Sequence, residues 1–371
     1  MPSNALQIAV FAGDGIGPEV ISPSVEILKL LESRVGDFHL QFTDYPVGAG
    51  CYLETGKDIS DESFEAARAA DAILLGAIGL PSVRFPDGTE IRPHLRMRDE
   101  FGLYAGVRPV KAYANTPRRL LDERAANIDL IVLRESTEGL FFSQGKGEVS
   151  HTEARETLRI TRATSEKLFD AAFKLARQRK ARGGKGRVTC VDKSNVFRAY
   201  AFFREIFTER AALYPDIEAT YAYVDAMALD LIRKPWDYDV LVMENMFGDI
   251  LSDLGGGLVG GMGMASCAEI GDNHALFQPA HGTAPDIAGQ GKANPLATFL
   301  SAALMLDWLG ERHGNPQLTA AAGILNSAVE TAFAKGRLRP MEFGGDQGSK
   351  EVTQEVIAAI EHIVSSRPRK S

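Results

Sequence analysis

The chain has 371 residues, 45% of them hydrophobic and 24% charged, with a formal net charge of −8. This is the balance of an ordinary globular protein, long enough for two domains or one large α/β unit, and too acidic for a general nucleic-acid binder, which needs a basic face. Cys51, Cys190 and Cys267 form neither a CxxC pair nor an even disulfide set, the N-terminus lacks the basic-then-apolar pattern of a leader, and no apolar run reaches the roughly 18 residues of a membrane span; a cytoplasmic chain is expected.

Short apolar runs then alternate with longer amphipathic segments. "LQIAVFA" predicts a buried strand, "GDGIGP" a turn, and "PEVISPSVEILKLLES" a helix despite Pro23. "DAILLGA", "IDLIVL", "RVTCVD" and "YDVLVM" predict further strands, each followed by glycine, polar or helical sequence. Such alternation implies an α/β protein whose sheet is covered on both faces. Residues 138 to 162, with alternating polar and apolar positions and several glycines, predict a β excursion suited to a dimerisation arm. The basic stretch "RQRKARGGKGR" reads as a solvated helix-to-strand connection, and helices such as "LATFLSAALMLDWLGER" and "SKEVTQEVIAAIEHIV" dominate after Pro295.

Seven stretches carry candidate chemistry. "GDGIGPE" fails as a dinucleotide fingerprint because Pro18 stands where GxGxxG needs its last glycine, although a ligand-contacting loop remains open. "LRMRDEFGLYAGVRP" and "VLRESTEG" supply Arg98, Arg108 and Arg134, either surface groups or a clamp for several carboxylates. In "VDKSNV", Lys193 follows a predicted strand and reads as a turn lysine or a tuned base. Asp225 in "YVDAMALDLI" reads as an N-cap or a ligand. "NMFGDILSDL" places Asp249 and Asp253 four apart, a like-charge pair that costs a helix roughly 0.2–0.5 kcal/mol. Either the positive end of the helix dipole or a hard cation offsets that repulsion. Finally, "QPAHGTAPDIAGQGKANP" concentrates His281, Gly282, Asp286 and Asn294, which together suit a cofactor.

In order and spacing, "GDGIGPE", "VDKSNV", "YVDAMALDL", "NMFGDILSDL" and "HGTAPDIAGQGKANP" resemble the β-decarboxylating dehydrogenase family, over about residues 8 to 365. That family contains isocitrate, 3-isopropylmalate, homoisocitrate and tartrate/D-malate dehydrogenases. The resemblance implies an isopropylmalate/isocitrate dehydrogenase-like two-domain α/β fold with a non-Rossmann cofactor site. Residues 1–103 and 260–371 would form the large domain, and 104–259 the small central one with the dimerisation elements and metal site. It implies a homodimer with shared active sites: Asp249 and Asp253 bind Mg2+ or Mn2+ with Asp225 from the partner, and Arg98, Arg108 and Arg134 hold the malate carboxylates. Lys193, also from the partner, helps to remove the hydroxyl proton. NAD would meet Ile16, Asn195, His281, Gly282, Asp286 and Asn294, with Asp286 at the ribose, disfavouring NADP unless Lys292 compensates.

The sequence departs from this pattern twice. Phe141 stands where the family carries a tyrosine that donates the final proton, which leaves Ser143, His94 or water as substitutes. His94 and Leu95 occupy the place of paired leucines in isopropylmalate enzymes, admitting a smaller or more polar 3-substituent. The expected activity is NAD- and metal-dependent oxidative decarboxylation of a 3-substituted malate, 3-isopropylmalate first. Tartrate/D-malate or another 3-substituted malate is the alternative, and a ligand-binding regulatory subunit the second.

Overall fold

In the computed structural model, which describes residues 5–366, twelve strands alternate with eleven α-helices. The two chain ends, 1–4 and 367–371, belong to the leader reading and the large-domain expectation and lie outside the described residues. The strands are β1 Leu6–Gly13, β2 Leu40–Asp44, β3 Ala72–Ala77, β4 Ala105–Lys111, β5 Asp129–Glu135, β6 Glu148–Val149, β7 Ala154–Arg155, β8 Arg187–Asp192, β9 Glu218–Tyr223, β10 Val240–Met243, β11 Ser266–Ile270 and β12 Ala275–Pro279. The helices are α1 Gly17–Val35, α2 Ala49–Thr55, α3 Asp61–Ala69, α4 Pro93–Glu100, α5 Arg162–Ala181, α6 Arg198–Ala211, α7 Val224–Arg233, α8 Asn245–Leu258, α9 Leu296–His313, α10 Pro316–Ala334 and α11 Ser349–Ser365.

Ten strands form one sheet in the order β2-β1-β3-β12-β11-β4-β5-β10-β8-β9. Its wings are parallel, and the three middle pairings, β12-β11, β11-β4 and β4-β5, are antiparallel. Successive side chains of a strand point to opposite faces, and here both faces are buried. Ile8, Val10, Leu74, Ile131, Leu133, Val240 and Val242 join one continuous core with α1, α5, α6, α9, α10 and α11. On the opposite face the apolar cover is split. Ala9, Phe11, Ile73, Leu75 and Leu276 pack with α3 and α4, whereas Leu130, Val132, Val191, Leu241 and Met243 pack with α7 and α8. Between these two clusters the same face of the sheet carries Gln278, Glu269, Arg108 and Arg134. Polar residues on central strands thus leave a trough rather than a core.

The β excursion is reduced to β6 and β7, an antiparallel pair of two-residue strands. The basic stretch is helical as far as Ala181, and its arginines are consumed in ion pairs: Arg177 with Asp216, Arg179 with Asp129 and Asp239, Arg182 with Asp307, and Arg187 with Glu218. All three cysteines are free and buried. Among the described residues no helix is long and apolar enough to cross a membrane.

The turn after β1 is tied down by Asp14. Its buried carboxylate accepts hydrogen bonds from the backbone N–H groups of Ala49, Gly50 and Gly79, each at 2.8 Å. Gly15, at φ +55°, lets this turn lie against Thr283, whose carbonyl oxygen would be 2.2 Å from an added Cβ. Asp14→Ala strands three backbone donors and should lower the unfolding free energy by about 2–4 kcal/mol in a urea melt. An unchanged midpoint would show that water replaces the carboxylate.

Candidate active site

Three arginines reach the trough from different elements. Arg108 stands mid-strand on β4, Arg134 at the end of β5, and Arg98 on α4. All three are buried around one carboxylate, Glu269 of β11. Arg98 Nη2 donates to Glu269 Oε1 at 2.9 Å, and Arg108 Nη2 lies 3.7 Å from the same oxygen. Burial alone would raise the Glu269 carboxyl, but the three guanidinium groups together outweigh it and hold the acid below the usual glutamate range. Burial, reinforced by Arg108 and Arg98, pushes Arg134 down to about 10.

Asp249 and Asp253 face this cluster from α8. Arg108 Nη1 lies 3.9 Å from a carboxylate oxygen of each, and Arg134 Nη1 donates to Asp249. The helix starts at Asn245, so both acids lie beyond its first turn, and Asp253 is more than two turns in. The dipole explanation for the pair therefore fails, because that field is confined to the first turn. In the chain itself the offset to their repulsion comes from Arg108 and Arg134. Gly248 allows this approach: a Cβ there would sit 2.6 Å from Arg134 Cβ.

Asp225 lies in the first turn of α7, but the N-cap is Tyr223, which rules out the capping role. Its carboxylate pairs with Lys193 Nζ, directly after β8, and that hydrogen bond holds the Asp225 carboxyl below the ordinary aspartate range. Among the described residues no group of three potential metal-ligating side chains occurs. Asp225 thus stays apart from Asp249 and Asp253 within one chain.

Two adjoining cavities organise the remaining candidates. The first, about 270 Å3, is lined by Arg92, His94, Leu95, Arg98, Arg108, Arg134, Phe141, Asp249, Asp253 and Gln278. This is at the small end for ligand sites and fits a compact polyacid. Phe141 packs under Arg134, whose guanidinium carbon is 5.0 Å from the ring centroid. Burial beside Arg98 pushes His94 down to about 3, so its imidazole is neutral. The second cavity, about 630 Å3, is lined mainly by Ile16, Met262, Ile287, Ala293, Met341, Lys292, Asn294 and Glu342. His281 and Gly282 border both, so a ligand in one lies next to a ligand in the other. Asn294 Nδ2 donates to Glu342 Oε2 at 2.8 Å, fixing one polar wall.

Of the residues anticipated for a cofactor, Ile16, His281, Gly282 and Asn294 line the larger cavity. Asp286 is exposed on the adjoining turn Pro285–Ile287, and Asn195 follows Lys193 and lines neither cavity. Ser143 also lies outside both, because its hydroxyl donates to the Leu140 carbonyl and accepts from Thr157 N. Sequence reasoning missed Glu269, Asn245, Ser252 and Glu342. Asn245 accepts from Arg134, and Ser252 accepts from Arg108 at 2.9 Å. Both were reachable: positions 245, 249, 252 and 253 share one helical face.

Both implied groups suit these residues. Asp249 and Asp253 offer hard carboxylate oxygens to the trough, the donor type that Mg2+ or Mn2+ takes. The larger cavity combines apolar walls with a few fixed polar groups, and His281 Nε2 is sealed there without a hydrogen-bond partner.

Comparison with known proteins agrees with this geometry. The family model "Isocitrate/isopropylmalate dehydrogenase" matches residues 7–360. The 3-isopropylmalate/3-methylmalate dehydrogenase of Methanocaldococcus jannaschii is 40% identical over 95% of this chain and 98% of its own. The 3-isopropylmalate dehydrogenase of Heyndrickxia coagulans is 42% identical over 81% of this chain and 82% of its own. Among solved structures, isocitrate dehydrogenase from Methylococcus capsulatus superposes with a TM-score of 0.82 at 30% identity, covering 96% of this chain and 99% of that one. The chain is an oxidoreductase that belongs to the isocitrate/isopropylmalate dehydrogenase family.

Proposed function

We propose that this chain is an NAD- and divalent-metal-dependent dehydrogenase that oxidises and decarboxylates a 3-substituted malate, 3-isopropylmalate first, in a homodimer with shared sites. The observation that carries the reading is the trough itself, where three arginines and two carboxylates border the cavity lined by Ile16, His281, Gly282 and Asn294. The names of the relatives support 3-isopropylmalate as the substrate.

Arg98, Arg108 and Arg134 bind and orient the two carboxylates of the malate core by charge-assisted hydrogen bonds. Asp249, Asp253 and Asp225 of a second copy would hold Mg2+ or Mn2+, which would supply Lewis acidity for the oxidation. NAD supplies the hydride acceptor. Lys193 of the second copy, placed beside Asp225, would take the hydroxyl proton as the free amine while hydride passes from C2 to the nicotinamide. The resulting 2-oxo acid loses its β-carboxylate as CO2, and the arginines furnish a fixed positive field for the charge that develops. Phe141 cannot return a proton to C3, and His94 is held neutral, so water entering the trough delivers it.

Sharing between copies is supported by the separation of Asp225 from Asp249 and Asp253, and by exposed apolar side chains on α7 and α8, namely Leu229, Ile232 and Ile250. The division into a large domain, 1–103 with 260–371, and a small one, 104–259, is supported by the split apolar cover on the trough face.

The test is turnover of the purified chain with Mn2+, a panel of 3-substituted malates and either cofactor. The expected result is NADH and CO2 from 3-isopropylmalate, with kcat/KM for NAD+ about tenfold or more above NADP+, since Asp286 meets the 2′-phosphate with like charge. Equal use of the two cofactors would sink the Asp286 assignment. No reduced cofactor from any malate would sink the whole reading.

A further inference from the structure

Glu244 is a buried acid that the steps above leave without a role. It is the N-cap of α8, and its carboxylate accepts hydrogen bonds from neutral donors on three separate elements. These are Phe247 N of α8 itself at 3.5 Å, Leu140 N of the turn Leu140–Ser143 at 3.3 Å, and the hydroxyl of Tyr200 on α6 at 3.1 Å. Gly139, at φ +69°, lets the turn come this close, since a Cβ there would sit 1.9 Å from Glu244 Oε1.

A carboxylate taken out of water is costly unless its oxygens are hydrogen-bonded. Because no single element supplies the donors of Glu244, the acid is satisfied only while α6, α8 and the turn keep their places. Each of the three carries part of the proposed machinery. α8 bears Asp249 and Asp253, and the turn sets Phe141 under Arg134. α6 follows Lys193 directly: the Lys193 carbonyl accepts from Val196 N and Phe197 N, each at 3.1 Å, and Phe197 is the N-cap of the helix. Rings reinforce the joint, with Tyr200 stacked on Phe247 at 4.8 Å between centroids and Phe197 edge-on to Tyr200 at 6.1 Å.

We propose that Glu244 and Tyr200 are positioning residues that tie the Lys193 turn to α8 of the same chain, so that each chain presents its base to the second copy's trough at a fixed reach. This rests on the malate reading and its shared sites, and deepens it by naming what holds the base in place.

The test uses NAD+, Mn2+ and the best malate of the panel. Tyr200→Phe keeps the ring stack and drops one donor; kcat should fall about tenfold with KM for the malate nearly unchanged, because a displaced base slows the chemical step without weakening binding. Glu244→Ala should lower kcat further and also raise KM, since the turn carrying Phe141 is released. Glu244→Gln, whose amide can accept from Leu140 N and donate to the Tyr200 oxygen, should keep most of both. Tagged heterodimers with one Asp249→Asn chain locate the defect, because their one working site takes Lys193 from that chain. Tyr200→Phe placed in the Asp249→Asn chain should lower kcat about tenfold, and placed in the other chain should leave it unchanged. The reverse pattern, equal effects from both placements, or an unchanged kcat in the Tyr200→Phe homodimer overturns the proposal and leaves the malate reading standing. No turnover of any malate by wild type overturns both.

Discussion

Asp249→Asn should lower kcat/KM by about 10²–10³-fold, the loss expected when a preorganised charged group at the reacting centre is removed. The substitution keeps the size of the side chain, and Arg134 retains both of its bonds to Asn245, so the fold should survive. Raising Mn2+ should recover part of the loss, since an amide oxygen is a weaker donor than a carboxylate. The same variant tests whether sites are shared. If Asp249 of one copy works with Lys193 of another, a dimer of one Asp249→Asn chain and one Lys193→Ala chain has one site with both defects and one intact site. Random exchange makes half the dimers mixed, so about a quarter of wild-type activity should return. If each site were built within one chain, every site in the mixture would carry a defect. Verified subunit exchange with no recovered activity would then overturn the sharing.

How far the sequence discloses this molecule depends on where the polar residues lie. β1, β3, β5, β8 and β10 each hold a mostly apolar run at their centre and were legible as strands, because both faces of the sheet are buried there. β4 and β11 were not. The first contains Arg108 and Pro109, the second Cys267 and Glu269, and a charge in a short run reads as a loop. β9 was obscured for another reason: as an edge strand it exposes Glu218, Tyr221 and Tyr223. The strands hardest to read in the middle of the sheet are thus those that build the trough.

The site shows the same division. Asp249, Asp253 and the three arginines were recognisable from motif and charge. Glu269 was not, because "SCAEIGD" carries no local signal and its role exists only once β11 lies beside β4. Lys193 and Asp225 were separately legible, but their pairing depends on the parallel register of β8 with β9, which ends both strands at the same level.

Glu269 also sets the other large effect. Glu269→Gln should lower the unfolding free energy by about 3 kcal/mol, near the lower end for breaking a buried ion pair, since the amide oxygen still accepts from Arg98 while the negative charge is lost. Three buried guanidinium groups then repel with only Asp249 and Asp253 nearby to balance them. The effect should depend on pH in a defined direction. The folded carboxyl is held below its ordinary value of 4.5, so its stabilisation is complete above that pH and is lost as pH falls through the lower folded value. Wild type should therefore lose stability on acidification below about pH 4.5 through this group, whereas the glutamine variant, with nothing to titrate, should lose less over the same window. Urea melts of both proteins at neutral pH and across that acidic window measure the difference. Substrate binding should weaken as well, because Arg98 and Arg108 lose the anchor that fixes their separation, and the change should appear in KM more than in kcat. Equal melting midpoints for the two proteins at neutral pH would show that the arginines are held by Asp249, Asp253, Asn245 and Ser252 alone, and that Glu269 is dispensable to the clamp.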